Sequence, residues 1–278
     1  MFDYVNGKIV KEKDAKISVF DRGFLYGDGA FTTMVSTNKK IHFLKEHIDR
    51  LIESCEMIKI KSPLSKKQLI TLTEKLFLKN KKAKTRISII ITRGGNSKQT
   101  TVAPEKNNKA SLVIIFNNLK FPDKKIYEKG IKITTSIQSR FMPVSKSLNF
   151  LASIITHMDA EKKNFDNCLL VSEKGLIKEM SSANIFIVKK GAIKTPKDDI
   201  LLGITRKKVI ELAIKHNFKV KEAKIKLNEL NWADEVFITG TTKKIIPVVK
   251  VNKKIIGNGK PGKTTKYLLK EFEKTFNY

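Results

Sequence analysis

With 278 residues, 41% of them apolar and 30% charged, the chain has material for one large domain or two modest ones and is too apolar for wholesale disorder. Its two cysteines, Cys55 and Cys168, exclude a disulfide-built secreted scaffold, and together with four widely spread histidines they leave little from which to make a metal site. The formal charge of +29 arises from 56 basic against 27 acidic residues, but only six of the basic residues are Arg, and the Lys are scattered as on a solvated surface rather than gathered into a nucleic-acid grip.

In chain order, Phe2–Val5 and Lys8–Val10 flank Asn6-Gly7 and predict a tight hairpin. Lys16–Phe20 predicts a strand, Asp21–Gly29 with its three Gly a loop, and Ala30–Ser36 a strand. Leu44, Ile48, Leu51, Ile52 and Cys55 recur at helical spacing over 44–58, and Ser65 caps a second helix bearing Leu69, Leu72, Leu76 and Phe77. Thr85–Thr92 and Ser111–Phe116 are β-branched strands around a polar loop, 94–109. Residues 119–125, which include Pro122, are the expected linker between an N-terminal domain, 1–118, and a C-terminal domain, 126–278.

Beyond the linker, Ile131–Ile137 predicts a strand and Lys146–Lys163 a helix. Cys168–Val171 and Leu176–Glu179 predict a hairpin, followed by strands at Asn184–Val188 and Ile193–Thr195. Thr205–His216 reads as an amphipathic helix, Glu235–Thr239 and Ile246–Val251 as strands, and Thr264–Phe276 as a closing helix. Strands and helices mix without strict alternation, which predicts two α+β domains. No apolar run reaches the ~18 residues of a membrane helix. The opening Met1-Phe-Asp-Tyr-Val is unlike a signal peptide, so a soluble cytoplasmic protein without membrane or nucleic-acid partners is expected.

Two segments carry anion-binding chemistry. Leu201-Leu-Gly-Ile-Thr-Arg206 runs through Gly203 into a helix, whose N-terminus offers unpaired N–H groups and positive potential, and Thr205 adds a hydroxyl. Gly240-Thr241-Thr242 directly follows a strand and clusters further donors. Arg50, flanked by His47 and Leu51, is a third candidate. Each of these by itself also fits a plain helix cap, turn or surface Arg. No Gly-x-Ser-x-Gly elbow occurs, and neither Cys has a recognisable His partner. Lys146 follows Pro143-Val-Ser and opens the apolar stretch Leu148–Ile155, where partial desolvation suits Schiff-base chemistry. Glu179, at the end of a half-buried strand, fits either a plain strand end or the partner of a pyridinium nitrogen.

Six motifs occur in order: Asp21-Arg-Gly-Phe-Leu-Tyr-Gly-Asp-Gly29, Glu46-His-Ile-Asp-Arg-Leu51, Lys146-Ser-Leu-Asn-Phe-Leu151, Glu179-Met-Ser-Ser-Ala-Asn-Ile-Phe186, Leu202-Gly-Ile-Thr-Arg206 and Ala233-Asp-Glu-Val-Phe-Ile-Thr-Gly-Thr241. Together they resemble the class IV aminotransferases, the fold type IV pyridoxal-phosphate enzymes, from Val5 to about Tyr267. That family includes branched-chain and D-amino acid aminotransferases and aminodeoxychorismate lyases. The resemblance implies an α+β architecture of two α/β domains, the smaller N-terminal, with pyridoxal 5'-phosphate between them, and a homodimer.

It further implies that Lys146 is the Schiff-base lysine and proton shuttle, and that Glu179 pairs with the pyridine nitrogen. Arg50, Ile204, Thr205 and Thr241 would hold the phosphate. Thr32, Lys98 and Thr242 are the substrate-side candidates. The implied activity is transfer of an amino group from a D- or branched-chain-type amino acid to a 2-oxo acid. The alternative is an aminodeoxychorismate lyase yielding 4-aminobenzoate and pyruvate. Phe31-Thr32-Thr33 departs from the Phe-Glu pattern of most members and is similar to some lyases, whereas Gly240-Thr241 is similar to the aminotransferases. Phe150 stands where branched-chain enzymes have Tyr, and the loop 96–100 lacks the Arg-x-His carboxylate trap of D-amino acid members. Lys98 or Arg140 is the substitute candidate for a substrate carboxylate.

Overall fold

The computed structural model describes residues 1–95, 102–104 and 108–278. By its internal contacts the chain forms two compact units, Met1–Leu119 with Ser145–Asn149, and Lys120–Val144 with Phe150–Tyr278. A helix, Lys124–Lys129, begins within the expected linker, and the segment holding Lys146 groups with the first unit.

The first unit contains β1 (Phe2–Val5), β2 (Lys8–Lys11), α1 (Arg22–Tyr26), β3 (Gly29–Thr37), β4 (Lys40–Ile41), α2 (Leu44–Met57), α3 (Lys66–Asn80), β5 (Thr85–Thr92) and β6 (Ser111–Asn118). Its six strands form an antiparallel sheet in the order β2-β1-β6-β5-β3-β4. Alternate residues Ile87, Ile89 and Ile91 of β5 meet Leu44, Ile48, Leu51 and Cys55 of α2 and Leu69 and Leu76 of α3 in one core. Each such Leu or Ile contributes roughly 1.5–3 kcal/mol by leaving water. Ser65 caps α3 in a capping box with Gln68.

The expected strand at Lys16–Phe20 does not form. Residues 16–19 are exposed and lie between helical turns, so neither face has a core to cover. Within the expected loop 21–29, Asp21 accepts from Gly23 N at 2.7 Å and caps the short helix α1, which Gly27 closes in the left-handed region at φ 65°. Asp28 accepts from Arg93 Nε at 2.7 Å and Arg22 Nε at 3.0 Å, which pins the entry to β3. Burial alone would raise the Asp28 carboxyl, but the two guanidinium groups outweigh it and hold it below the usual carboxylate range.

The second unit contains α4 (Lys124–Lys129), β7 (Ile131–Ile137), α5 (Leu151–Lys162), β8 (Asn167–Val171), β9 (Ile177–Met180), β10 (Asn184–Lys189), β11 (Ala192–Pro196), α6 (Ile204–Lys215), β12 (Val220–Ala223), β13 (Glu235–Gly240), β14 (Lys244–Val251), β15 (Lys254–Ile255) and α7 (Lys263–Phe276). Its mixed sheet runs β12-β11-β10-β13-β14-β7-β8-β9, with β15 beside β14. The two ends of this order approach each other: Leu176 bridges Lys226, Ile177 N donates to Ile225 O at 2.8 Å, and Met180 bridges Ala183.

Strand alternation divides the apolar side chains between two cores. Ile185 and Ile187 of β10 and Val236 and Ile238 of β13 join Ile133, Leu169 and Ile177 in one. Phe186 and Phe237 face the other way, stacked at 4.8 Å, against Val209 and Leu212 of α6 and Leu268 and Phe272 of α7. Among the described residues no helix is long and apolar enough to cross a membrane.

Candidate active site

Lys146 is presented from an extended segment. The helix expected from Lys146 begins at Leu151, because the backbone of 145–149 is occupied by the edge of β3. Phe31 N donates to Lys146 O at 2.9 Å, Leu148 N donates to Gly29 O at 2.9 Å, and Ser147 bridges Ala30. Ser54 of α2 accepts from Lys146 N through its hydroxyl at 3.1 Å. With the backbone tied on both sides, the half-buried Lys146 places Nζ 4.4 Å from the centroid of the Phe31 ring.

Arg50 and His47 lie one turn apart on α2, facing β3. Arg50 Nη2 donates to Thr32 Oγ1 at 3.2 Å, and Thr32 Oγ1 lies 2.9 Å from His47 Nδ1. Thr32 is fully buried, so its hydroxyl is turned to these two side chains. Burial, then the charges of Arg50 and Lys146, push the imidazole well below its ordinary range and leave it neutral. The first unit therefore brings together three of the expected residues, Lys146, Arg50 and Thr32, around a neutral His47. Lys98 lies outside the described residues.

In the second unit, Glu179 near the end of β9 is 4% exposed. Oε1 accepts from Arg140 Nη1 at 2.9 Å and Oε2 from Leu201 N at 3.2 Å. Arg140, a candidate for binding a substrate carboxylate, instead has its guanidinium on a carboxylate of the protein.

Leu201 also carries the link to the candidate anion-binding segments. Its carbonyl accepts from Asn184 Nδ2 at 2.8 Å, and Asn184 pairs in register with Thr239, immediately before Gly240-Thr241. A Cβ on Gly203 would collide with Asn184 Oδ1, so this close approach requires glycine. The same asparagine thus sets the start of α6, with Ile204 and Thr205, beside the end of β13. Gly203 is the N-cap of α6 and supplies no side chain to its first-turn N–H groups. Thr205 is buried, Thr241 and Thr242 are half-buried in the turn to β14, and Lys243 Nζ closes that turn on Ser182 Oγ at 2.9 Å. The buried hydroxyl of Thr239 has no hydrogen-bond partner among the described residues.

Neither thiol competes as a nucleophile. Burial, with the nearby Glu56, pushes Cys55 up to about 12, and burial raises Cys168 to about 11. Sequence reasoning missed Ser54 and Leu201 and named Arg140 only as a candidate for a substrate carboxylate, not as the partner of Glu179. Only the three-residue spacing of His47 and Arg50 was a readable signal; the others depend on pairings distant in the chain.

The sequence model of the amino-transferase class IV family matches residues 29–251. A Methanocaldococcus jannaschii protein provisionally named a branched-chain-amino-acid aminotransferase is 38% identical over 97% of this chain and 94% of its own length. A D-alanine aminotransferase of Listeria monocytogenes is 32% identical over 96% of this chain and 93% of its own. The crystal structure of the branched-chain amino acid aminotransferase from Escherichia coli superposes with a TM-score of 0.91 at 26% identity, covering 99% of this chain and 94% of that one.

Proposed function

This chain belongs to the class IV aminotransferase family, and on that premise we propose that it transfers an amino group from a D- or branched-chain-type amino acid to a 2-oxo acid with pyridoxal 5'-phosphate as cofactor. The residues present fit that group. The first turn of α6 is left uncapped by Gly203, Thr239 buries a hydroxyl that no described residue satisfies, and Lys146 presents its amine on an aromatic face. A phosphate suits such a helix N-terminus with hydroxyls beside it.

When bound, the cofactor supplies a ring that delocalises the electron pair left on the substrate carbon as its proton departs. Lys146 Nζ would hold the cofactor covalently and, when free, would carry the proton that leaves the substrate α-carbon. Glu179 would accept from the pyridine N–H, and Arg140 fixes the direction of that carboxylate. Arg50 takes the phosphate, as do the first-turn N–H groups of Ile204 and Thr205 and the hydroxyls of Thr205 and Thr241. Thr242 donates to the substrate carboxylate, while Thr32 serves Arg50.

The observation that carries this reading is the buried Glu179, held on one oxygen by Arg140 and on the other by the chain segment that leads into α6. The test is to mix the cofactor-loaded protein with a panel of D- and L-amino acids. The cofactor's visible absorbance should be lost with at least one donor and return on adding a 2-oxo acid. Failure with every donor, together with release of pyruvate and 4-aminobenzoate from aminodeoxychorismate, would replace the transaminase by the lyase.

We further propose a cytoplasmic homodimer. Two buried free thiols, Cys55 and Cys168, suit a reducing compartment. Exposed Leu151, Ile154, Ile155 and Met158 make one apolar stripe along α5, a face of the kind that a second copy covers.

A further inference from the structure

The proposed chemistry makes no direct use of His47 or of the Thr32 hydroxyl, yet both are buried beside a cationic group. A guanidinium only donates. Arg50 Nη2 lies 3.2 Å from Thr32 Oγ1, so the hydroxyl must receive it on a lone pair. The hydroxyl's own hydrogen then points to an acceptor, and His47 Nδ1 stands 2.9 Å away. Nδ1 must therefore be bare, with the ring hydrogen on Nε2. The 3.4 Å approach of Arg50 Nη2 to the same Nδ1 makes the same demand, since that contact too has Arg50 as donor.

The arrangement is directional. With Nδ1 bare, the Thr32 hydroxyl is a fixed acceptor aimed at Arg50. A proton on Nδ1 would turn the hydroxyl round and place a third cation beside Arg50 and Lys146. Burial and those two charges keep that proton off. The fold also fixes both ends of the chain of bonds: His47 and Arg50 share one face of α2, and Thr32 is held in β3, which pairs with β5 along its length.

We propose that His47 and Thr32 are positioning residues for Arg50: the imidazole Nδ1 orients the Thr32 hydroxyl, and that hydroxyl holds the guanidinium where it takes the cofactor phosphate. This rests on the reading that Arg50 binds the phosphate. No bond is made or broken and no proton leaves the relay. Its signature is selectivity, because a misplaced Arg50 weakens a ligand that carries the phosphate and leaves one without it unaffected.

The experiment titrates the apoprotein with pyridoxal 5'-phosphate and, separately, with pyridoxal, followed by absorbance and protein fluorescence. Thr32→Val, nearly isosteric, and His47→Leu are expected to weaken pyridoxal phosphate about tenfold, the scale of one charge-assisted hydrogen bond. Pyridoxal binding should not change. Thr32→Ser and His47→Asn, which restore a hydroxyl and an acceptor near Nδ1, should recover affinity to within about threefold. In an Arg50→Met background, Thr32→Val should add nothing further, since coupled residues are non-additive. Equal weakening of both ligands would mean a structural role only and would overturn the proposal. So would undiminished affinity in Thr32→Val, or a full additional loss on top of Arg50→Met. Wild-type protein that binds neither ligand would instead overturn the cofactor reading itself.

Discussion

Arg140 and Glu179 meet as an ion pair, Nη1 to Oε1 at 2.9 Å, with 6% of each side chain exposed. Removing one partner of so buried a pair leaves the other charge uncompensated and typically costs about 3–5 kcal/mol. Arg140→Met is therefore expected to lower stability by about 3 kcal/mol or more, read from urea unfolding. Glu179→Gln is expected to retain the cofactor but to lower turnover about 10²-fold or more, the usual scale for an electrostatic stabiliser. Turnover within a few-fold of wild type would remove Glu179 from the mechanism.

Lys146 is held through its carbonyl by β3 and through its N–H by Ser54 of α2, so substituting its side chain should spare the fold. Borohydride reduction of the loaded protein should fix the cofactor to the peptide containing Lys146. Lys146→Ala should bind cofactor that dialysis removes and should show no such labelled peptide. A label on any other lysine in the wild type would move the anchor elsewhere.

Gly203 and Gly175 separate a close approach from a plain turn. A Cβ on Gly203 meets Asn184 Oδ1, whereas one on Gly175 meets open space at φ 69°. Gly203→Ala is expected to cost about 1–3 kcal/mol by overpacking and to weaken cofactor binding, because Asn184 also holds Leu201 O. Gly175→Ala should cost about 1–2 kcal/mol through left-handed strain alone, with cofactor affinity unchanged. Equal effects on the cofactor would show that Asn184 does not set the start of α6.

The buried histidines give the fold an acid-sensitive window. Burial, then Lys40, lowers His42 to about 4, and burial, then Arg50 and Lys146, holds His47 well below its ordinary value of 6.5. Both folded values lie below the unfolded one, so the unfolded chain binds more protons between them. Stability is full above about pH 6.5 and falls as pH drops below it, by up to about 1.4 kcal/mol per unit for each group. For His42 the loss levels off once pH passes its folded value near 4. Urea melts from pH 7.5 to 4.5 should show this slope, and His47→Asn should remove about half of it. An unchanged slope in that variant would mean that His47 titrates normally in the fold.

The α5 stripe is testable in solution. Ile154→Glu with Met158→Glu places two charges on an exposed apolar face that carries no core residue of its own unit. Light scattering should report a dimer for the wild type and a monomer of intact fold for the double variant. A monomeric, fully active wild type would exclude the dimer.

Sequence by itself determined the periodic elements and the chemical inventory. The helical recurrence of Leu44, Ile48, Leu51 and Cys55 and the alternation in Thr85–Thr92 follow from local geometry of 3.6 and 2 residues, so they can be read without a partner. The ordered motifs named Lys146, Glu179 and Arg50, and the composition showed Arg to be scarce in a Lys-rich chain. Arg22 and Arg93 do converge on Asp28, and Arg206 donates to Glu222 at 2.7 Å and to the carbonyl of Pro196 at 2.7 Å.

Only the tertiary structure decided what those residues touch. Lys146 is extended rather than helical because the edge of β3, more than a hundred residues earlier, takes its carbonyl, a non-local bond that no propensity encodes. Lys16–Phe20 has a strand's composition and forms none, because pairing needs a neighbouring edge and burial needs a core. Thr32, a substrate-side candidate by its motif, is a buried link between His47 and Arg50. The charge on His47 is likewise invisible in sequence: it depends on burial and on two cations that folding places beside the ring.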